Sequence, residues 1–158
     1  MADLPELDTE RESDWGGVRR KAAGRPLRVL IVDDEPNVCD VLRDACSRLG
    51  CLVTTFNSGE QAIAEARREG FDVVFLDIRM PGLNGAQVLR VLRRLVPRAT
   101  FVMITAYAES ELVDESLESG AFICLSKPLG ISEIRDLLQS VSEDRGDAWA
   151  LVGGAEES

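Results

Sequence analysis

Short apolar runs alternate five times with segments of helical periodicity, and this alternation limits the possible folds more than any other feature of the sequence. The first run, Arg28–Asp33, is rich in branched apolar residues and ends in acids. Pro36 then begins a segment whose apolar residues recur at helical spacing until Gly50, a residue type that commonly follows the last turn of a helix. The later strands are predicted at Leu52–Phe56, Phe71–Asp77, Thr100–Thr105 and Phe122–Ser126, and the helices behind them at 58–69, 86–95, 110–119 and 132–141. Strands that alternate with helices of this length predict an α/β fold, a doubly wound parallel sheet covered on both faces.

The length of 158 residues fits one domain with a sizeable core, which we predict at residues 27–142. Residues 1–26 begin with acids, continue with basic residues and contain Gly and Pro breakers, which predicts a flexible arm. Residues 143–158, with paired glycines and terminal acids, are predicted as a flexible tail.

Charge and composition exclude several classes of function. The formal charge of −10, from 18 basic and 28 acidic residues, argues against a nucleic-acid-binding surface. No apolar run approaches the roughly 20 residues that a membrane span requires, and the acidic start is unlike a signal peptide, so we expect a cytoplasmic protein. The four cysteines show no CxxC pairing and are expected to be reduced and buried. Histidine is absent, which excludes His-based triads and a phosphohistidine donor within the chain.

Residues that can carry chemistry follow the predicted strands at the point where each strand ends. The first strand leads into Asp33 and Asp34, the third ends in Asp77, the fourth ends in Thr105, and the fifth runs into Lys127. In a doubly wound sheet, ligands bind beyond the carboxyl ends of the strands, so we expect these side chains to meet at one rim. Each feature alone is more typical of a turn, a helix cap or a strand end. Their occurrence together at matching strand ends favours a functional site.

Three crowded carboxylates repel one another unless a cation is present, and Mg²⁺ is the simplest candidate because it binds carboxylate oxygens together with phosphate. An acid that serves as nucleophile, a metal, an ammonium and a hydroxyl are what phosphoryl transfer needs, since its catalysis is mainly positioning and charge neutralisation. A carboxylate that accepts phosphate forms a covalent aspartyl-phosphate. The sequence therefore indicates a phosphoryl acceptor whose phosphoryl group comes from another molecule.

Four motifs resemble the receiver domain of two-component response regulators: Val32–Glu35, Leu76–Gly82, Thr105-Ala106 and Ser126–Pro128. The resemblance covers roughly residues 28–141, with matching motif order and spacing. It implies a flavodoxin-like sheet of five parallel strands in the order 2-1-3-4-5.

The resemblance also implies the ligands of the metal and the phosphoacceptor. It makes Asp77 the residue that accepts the phosphoryl group, from a histidine kinase or a phosphotransfer protein. It makes Asp33, Asp34, Asp77 and the backbone carbonyl of Arg79 the ligands of Mg²⁺. Apart from self-phosphorylation and self-dephosphorylation, such a protein is a switch and not an enzyme.

The remaining implied roles concern the switch itself. Thr105 is implied to hydrogen-bond the attached phosphoryl group, Lys127 to pair with one of its oxygens, and Ala106 to leave it accessible. The family usually has Tyr or Phe where this chain has Cys124, so either Cys124 repacks without a ring movement or Tyr107 contributes.

Bulky side chains flank the implied route of the hydrolytic water. By the same resemblance, Arg79 and Tyr107 occupy these flanking positions. We therefore expect an acyl phosphate that outlives those of Arg79→Ala and Tyr107→Ala.

The output is expected to be docking of an unknown protein on the fourth helix, fifth strand and last helix, which carry an acidic set. This set is Glu109, Glu111, Asp114, Glu115, Glu118, Glu133 and Asp136. One alternative is an interaction module with this fold that works without phosphorylation. A phosphohydrolase would normally have a second acid where Arg79 stands, and a piece excised from a longer regulator is a further possibility.

Overall fold

The computed structural model describes residues 25–106 and 111–145, with only the backbone described for residues 144 and 145. The strands in this part of the chain are β1 (Arg28–Val32), β2 (Leu52–Phe56), β3 (Val73–Asp77), β4 (Thr100–Thr105) and β5 (Ile123–Ser126). The helices are α1 (Pro36–Arg48), α2 (Gly59–Ala66), α3 (Gly85–Leu95), α4 (Glu111–Glu118) and α5 (Ile131–Arg145). The strands form one parallel sheet in the order β2-β1-β3-β4-β5, which confirms the predicted flavodoxin-like α/β fold.

The contacts divide the chain into two compact units. Residues 28–43 and 53–129 form the larger unit, which contains all the residues predicted for the site. The described part of the smaller unit consists of residues 25–27, 44–52 and 130–145. The prediction of one domain at 27–142 stays a prediction.

The core of the larger unit lies on the central strands. All the side chains of Val29–Val32 and Val73–Leu76 are fully buried, as the uninterrupted apolar runs predicted. One face of these strands packs against apolar residues of α2, α3 and α4 in a single cluster. Its members include Leu30, Val32, Ala62, Val74, Leu76, Val88, Leu89, Leu92, Met103 and Val113.

The strand register brings the carboxyl ends of β3, β4 and β5 to one edge. Asp77, the last residue of β3, lies beside Ile104 of β4, and the backbone N–H of Ile78 donates to the Ile104 carbonyl at 3.0 Å. Thr105 lies beside Ser126 at the ends of β4 and β5. Because parallel strands run in one direction, polar residues that are far apart in sequence collect at this edge.

Turn and cap residues fix where the helices begin and end. Ser58, the first residue of the predicted helix, accepts a hydrogen bond from the Gln61 backbone N–H at 3.3 Å and thereby caps the start of α2. This helix ends at Ala66 and not near residue 69. Beyond it, the Glu65 carbonyl accepts from the Arg68 N–H at 2.9 Å and from the Glu69 N–H at 3.2 Å, as is common at the end of a helix.

The last helix is longer than predicted, since it begins at Ile131 and continues past Val141 to Arg145. Ser142 is buried, and Gln139 donates to the Glu143 carboxylate at 3.1 Å across one turn, so the polar sequence there continues the helix. Residues 1–24 of the predicted arm and 146–158 of the predicted tail lie outside the described residues.

The cysteines form no disulfide. Cys39, Cys46 and Cys51 are buried as predicted, whereas Cys124 is only half-buried. Within the described ranges, no helix has the length and apolar character needed to cross a membrane.

Candidate functional site

Three aspartates meet at the carboxyl ends of β1 and β3. Asp33 and Asp34 directly follow β1, and Asp77 ends β3. Each offers a carboxylate oxygen, and these oxygens all lie within 4.8 Å of one another. Asp33 is fully buried and Asp77 is 3% exposed, while Asp34 is half-buried, so the cluster opens to solvent on one side.

Lys127 brings a cation to this cluster from the end of β5. Its Nζ lies 3.1 Å from Asp33 Oδ2 and 3.6 Å from Asp77 Oδ1, and the Lys127 side chain is 15% exposed. The Lys127 backbone N–H donates to the Thr105 carbonyl at 2.8 Å, which ties the loop after β5 to the end of β4. The predicted convergence of Asp33, Asp34, Asp77 and Lys127 is therefore present.

The environment of Asp77 disfavours its ionised form. Burial and the negative charge of Asp33 raise the pKa of Asp77 to about 7. The hydrogen bond with Asp34 acts in the same direction, whereas the charge of Lys127 and the backbone N–H of Arg79 oppose it. Lys127 therefore offsets only part of the effects that disfavour the ionised form of Asp77.

The neighbours of Asp77 titrate abnormally for related reasons. Burial raises the pKa of Asp33, although the Glu35 backbone N–H and Lys127 act against it. Burial alone would lower the pKa of Lys127, but the carboxylates of Glu35, Asp33 and Asp77 outweigh it and raise that pKa.

The donor set fits a divalent cation. Asp33 Oδ2 is buried and accepts no hydrogen bond of good geometry, although Lys127 Nζ lies within ion-pair distance. A buried carboxylate oxygen without a hydrogen bond costs free energy, and a cation bound there would remove that cost. Three carboxylates that converge beside solvent are the oxygen ligands that Mg²⁺ prefers.

The remaining predicted site residues surround the cluster. Thr105 is 1% exposed at the end of β4, next to the Ile104 position that pairs with Asp77. Ala106 is exposed, and its role in leaving the acceptor accessible stays a prediction. Arg79 is exposed two residues beyond Asp77, and the metal-ligand role of its carbonyl stays a prediction.

The position that usually carries an aromatic ring in receiver domains is filled differently. Cys124 pairs with Met103 in the strand register and packs against the apolar cluster. Tyr107, the other residue considered for the switch, lies outside the described residues.

Glu35 is a contact residue that the sequence reasoning missed. Its Oε1 accepts a hydrogen bond from Lys127 Nζ at 2.6 Å, although 92 positions separate the two residues. Its position directly after Asp33 and Asp34 indicates that Glu35 lies near the site. Its pairing with Lys127, however, follows only once β1 and β5 are placed in the sheet.

Comparisons with known proteins agree with this fold. The family model of the response regulator receiver domain matches residues 29–139. The chain is 37% identical over 115 residues to the probable transcriptional regulatory protein TcrX of Mycobacterium tuberculosis, a match that covers 73% of this chain and 49% of that protein. It is 31% identical over 112 residues to the sporulation initiation phosphotransferase F of Bacillus subtilis, covering 71% of this chain and 90% of that protein. The match thus spans about half the length of TcrX.

Solved structures show the same fold. A response regulator receiver domain protein from Methanospirillum hungatei superposes with a TM-score of 0.68 at 29% identity, covering 76% of this chain and 94% of that one. The receiver domain of the sensor histidine kinase PA1611 from Pseudomonas aeruginosa has a TM-score of 0.69 at 28% identity, covering 75% of this chain and 99% of that one. That structure holds a magnesium ion coordinated in its active-site cleft.

Proposed function

Because the chain belongs to the response-regulator receiver family, we propose that it is a Mg²⁺-dependent switch that accepts a phosphoryl group on Asp77. Receiver domains are phosphoacceptor switches and not classical enzymes. The observation that carries the proposal is the convergence of Asp33, Asp34 and Asp77 within 4.8 Å, beside the ammonium of Lys127.

The chemistry assigned to Asp77 is nucleophilic attack. A carboxylate oxygen of Asp77 attacks the donor phosphorus, and the new O–P bond forms while the bond from phosphorus to the donor breaks. The electron pair of that bond leaves with the donor, which we propose is the phosphohistidine of a histidine kinase or of a phosphotransfer protein. Water that attacks the phosphorus later releases the Asp77 carboxylate and resets the switch.

The other acids and the lysine prepare this attack. Asp33, Asp34, Asp77 and the backbone carbonyl of Arg79 would hold Mg²⁺, which supplies neutralisation of the carboxylates and of the phosphoryl oxygens. The positive charge of Lys127 lowers the pKa of Asp77. Its ammonium would pair with a phosphoryl oxygen. Thr105 would donate a hydrogen bond to the attached group.

Phosphorylation would be transmitted to a partner by a conformational change near the end of β4. Phosphorylation adds roughly −1.5 to −2 charge, and Thr105 and Lys127 are drawn toward it, which biases an equilibrium between two conformations. We propose that a protein partner reads this change on α4, β5 and α5. The exposed acids Glu111, Asp114 and Glu118 suit a partner with a basic surface.

Arg79 is exposed two residues beyond Asp77, and the family resemblance implies that its side chain flanks the route of the hydrolytic water. We expect the aspartyl phosphate of Arg79→Ala to decay faster than that of the wild type. The same expectation for Tyr107→Ala concerns a residue outside the described part of the chain.

The experiment that tests the proposal is intact-mass measurement after incubation with Mg²⁺ and acetyl phosphate. Wild type should gain the mass of one phosphoryl group, and Asp77→Asn should not. Asp40→Asn, an exposed acid on α1, serves as the matched control and should behave like wild type. No mass gain in wild type, or an equal gain in Asp77→Asn, would contradict the proposal.

A second candidate, an interaction module that works without phosphorylation, is favoured by Cys124 alone, since a ring that couples β5 to the site is missing. Partner binding that is equal for wild type and Asp77→Ala, with and without acetyl phosphate, would select this alternative.

A further inference from the structure

Lys127 is held from two sides. Its shortest contact is the 2.6 Å hydrogen bond to Glu35, followed by Asp33 at 3.1 Å and Asp77 at 3.6 Å. An ammonium group has three N–H bonds and no acceptor. Glu35 therefore occupies one of these donors, and Asp33 faces the ammonium as an ion-pair partner without a hydrogen bond of good geometry. Asp77 Oδ1 lies beyond hydrogen-bond distance, so it occupies none of the remaining N–H groups.

The backbone of Glu35 is fixed at the same place. Its N–H donates to Asp33 Oδ1 at 2.9 Å, and its carbonyl accepts from Val38 and Cys39 at 3.1 and 3.2 Å as α1 begins. The contacts close a ring, because Asp33 Oδ1 meets the Glu35 backbone, Glu35 Oε1 meets Lys127, and Lys127 meets Asp33 Oδ2. The Glu35 carboxylate is thus held on a rigid base although it is 58% exposed.

We infer that Glu35 is a positioning residue for phosphoryl transfer, which holds the Lys127 ammonium so that one of its remaining N–H groups faces the phosphoryl group on Asp77. The inference rests on the proposed function, because Lys127 has this task only if Asp77 accepts a phosphoryl group. Without Glu35, Lys127 keeps Asp33 as its one close partner and its flexible stem samples other directions. Orientation of a charged donor before the reaction is what accelerates such transfers.

A plain electrostatic effect of Glu35 would have the opposite sign. A negative charge at the rim repels an anionic phosphodonor, so its removal alone would speed phosphorylation. Glu35→Gln removes the charge but keeps an oxygen acceptor for Lys127, whereas Glu35→Ala removes both. The two variants therefore separate repulsion from positioning.

The experiment measures the initial rate of phosphorylation by acetyl phosphate with saturating Mg²⁺. Glu35→Ala should be slower than wild type by about threefold, the effect expected from one partly exposed ion pair, and Glu35→Gln should recover most of the rate. Glu60→Ala, an exposed glutamate in the first turn of α2, is the matched control and should react like wild type. Thermal unfolding of each variant shows whether it is folded.

A double-mutant cycle with Lys127→Met then asks whether Glu35 acts through Lys127. In that background Glu35→Ala should no longer slow the reaction, because the group that it positions is gone. If Lys127→Met reacts too slowly to measure, the order of wild type, Glu35→Gln and Glu35→Ala decides alone.

Two results would overturn the inference while leaving the proposed function intact. One is a Glu35→Ala variant that reacts as fast as wild type or faster, and the other is an equal loss with and without Lys127. A wild-type protein that takes no phosphoryl group would instead overturn the proposed function, and the inference with it.

Discussion

The middle and the tip of the same strands are both buried, but they differ in what burial does to stability. Along Val29–Val32 and Val73–Leu76 the buried side chains are apolar, and each gains free energy when it leaves water. One residue further, Asp33 and Asp77 are buried to a similar degree, and burial raises the pKa of both carboxyls.

The groups that can carry chemistry therefore lie at the strand ends, where burial is unfavourable. Charged groups out of water are costly, and Lys127 relieves that cost only in part, since Asp33 Oδ2 still accepts no hydrogen bond of good geometry. The apolar middle of the sheet supplies the stability that allows such a rim to exist. Carboxylates that are already in place would then bind a cation, and Asp77 would carry the phosphoryl group.

The largest effect should come from the middle of β3. Leu76→Ala should lower the free energy of unfolding by about 3–4 kcal/mol, because Leu76 is fully buried in the apolar cluster. The loss should be the same at pH 5 and pH 8, since no titrating group is removed. Denaturant unfolding at both pH values measures it. A loss below 1 kcal/mol would remove the contrast between middle and tip.

A somewhat smaller effect should come from the backbone directly behind the rim. The Cβ that Gly85→Ala introduces would lie 2.3 Å from the carbonyl oxygen of Asp77 and 2.7 Å from Cα of Ile78, so the loop after β3 must shift. We expect a loss of about 2–3 kcal/mol and slower phosphorylation. Gly70→Ala is the matched control, because its Cβ would meet nothing within 4 Å. Equal unfolding midpoints for the two variants would show that the rim is not tightly packed.

A gain in stability should follow when the rim loses a charge. The pKa of Asp77 rises from 3.8 to about 7 on folding, so the stability that the protonated carboxyl allows is fully present below about pH 4 and is lost as the pH rises through 7. Asp77→Asn carries no such charge at any pH. Without Mg²⁺, its free energy of unfolding should therefore exceed that of wild type by about 2 kcal/mol at pH 8. At pH 4 the two free energies of unfolding should be nearly equal. A variant that is less stable than wild type at pH 8 would show that Asp77 is not penalised by its site.

Much of the fold could be predicted from the sequence, because the alternation of apolar runs and helical segments reports local structure. The bounds of β2 and β4 agree with the prediction at every residue. The strand order came from the family resemblance, since periodicity does not say which strands are neighbours. The helix ends were less predictable: polar residues up to Arg145 read as a tail, yet a buried Ser142 continues the helix.

The functional site, like the fold, could be predicted from the sequence only in part. The convergence of Asp33, Asp77 and Lys127 followed from one general property, that parallel strands end at a common edge. The contact between Glu35 and Lys127 did not, because it depends on how far two side chains reach once that edge is formed. The Asn84 and Gln87 capping box at the start of α3 was also missed, since the preceding turn residues dominated the pattern.

The charge of the three carboxylates at the rim should be relieved by a bound cation. The free energy of unfolding at pH 8 should be measured for wild type and Asp77→Asn, with saturating MgCl₂ or with NaCl of equal ionic strength. We expect Mg²⁺ to stabilise wild type by about 1–3 kcal/mol and to stabilise Asp77→Asn by clearly less. Equal stability of wild type in the two salts would contradict it.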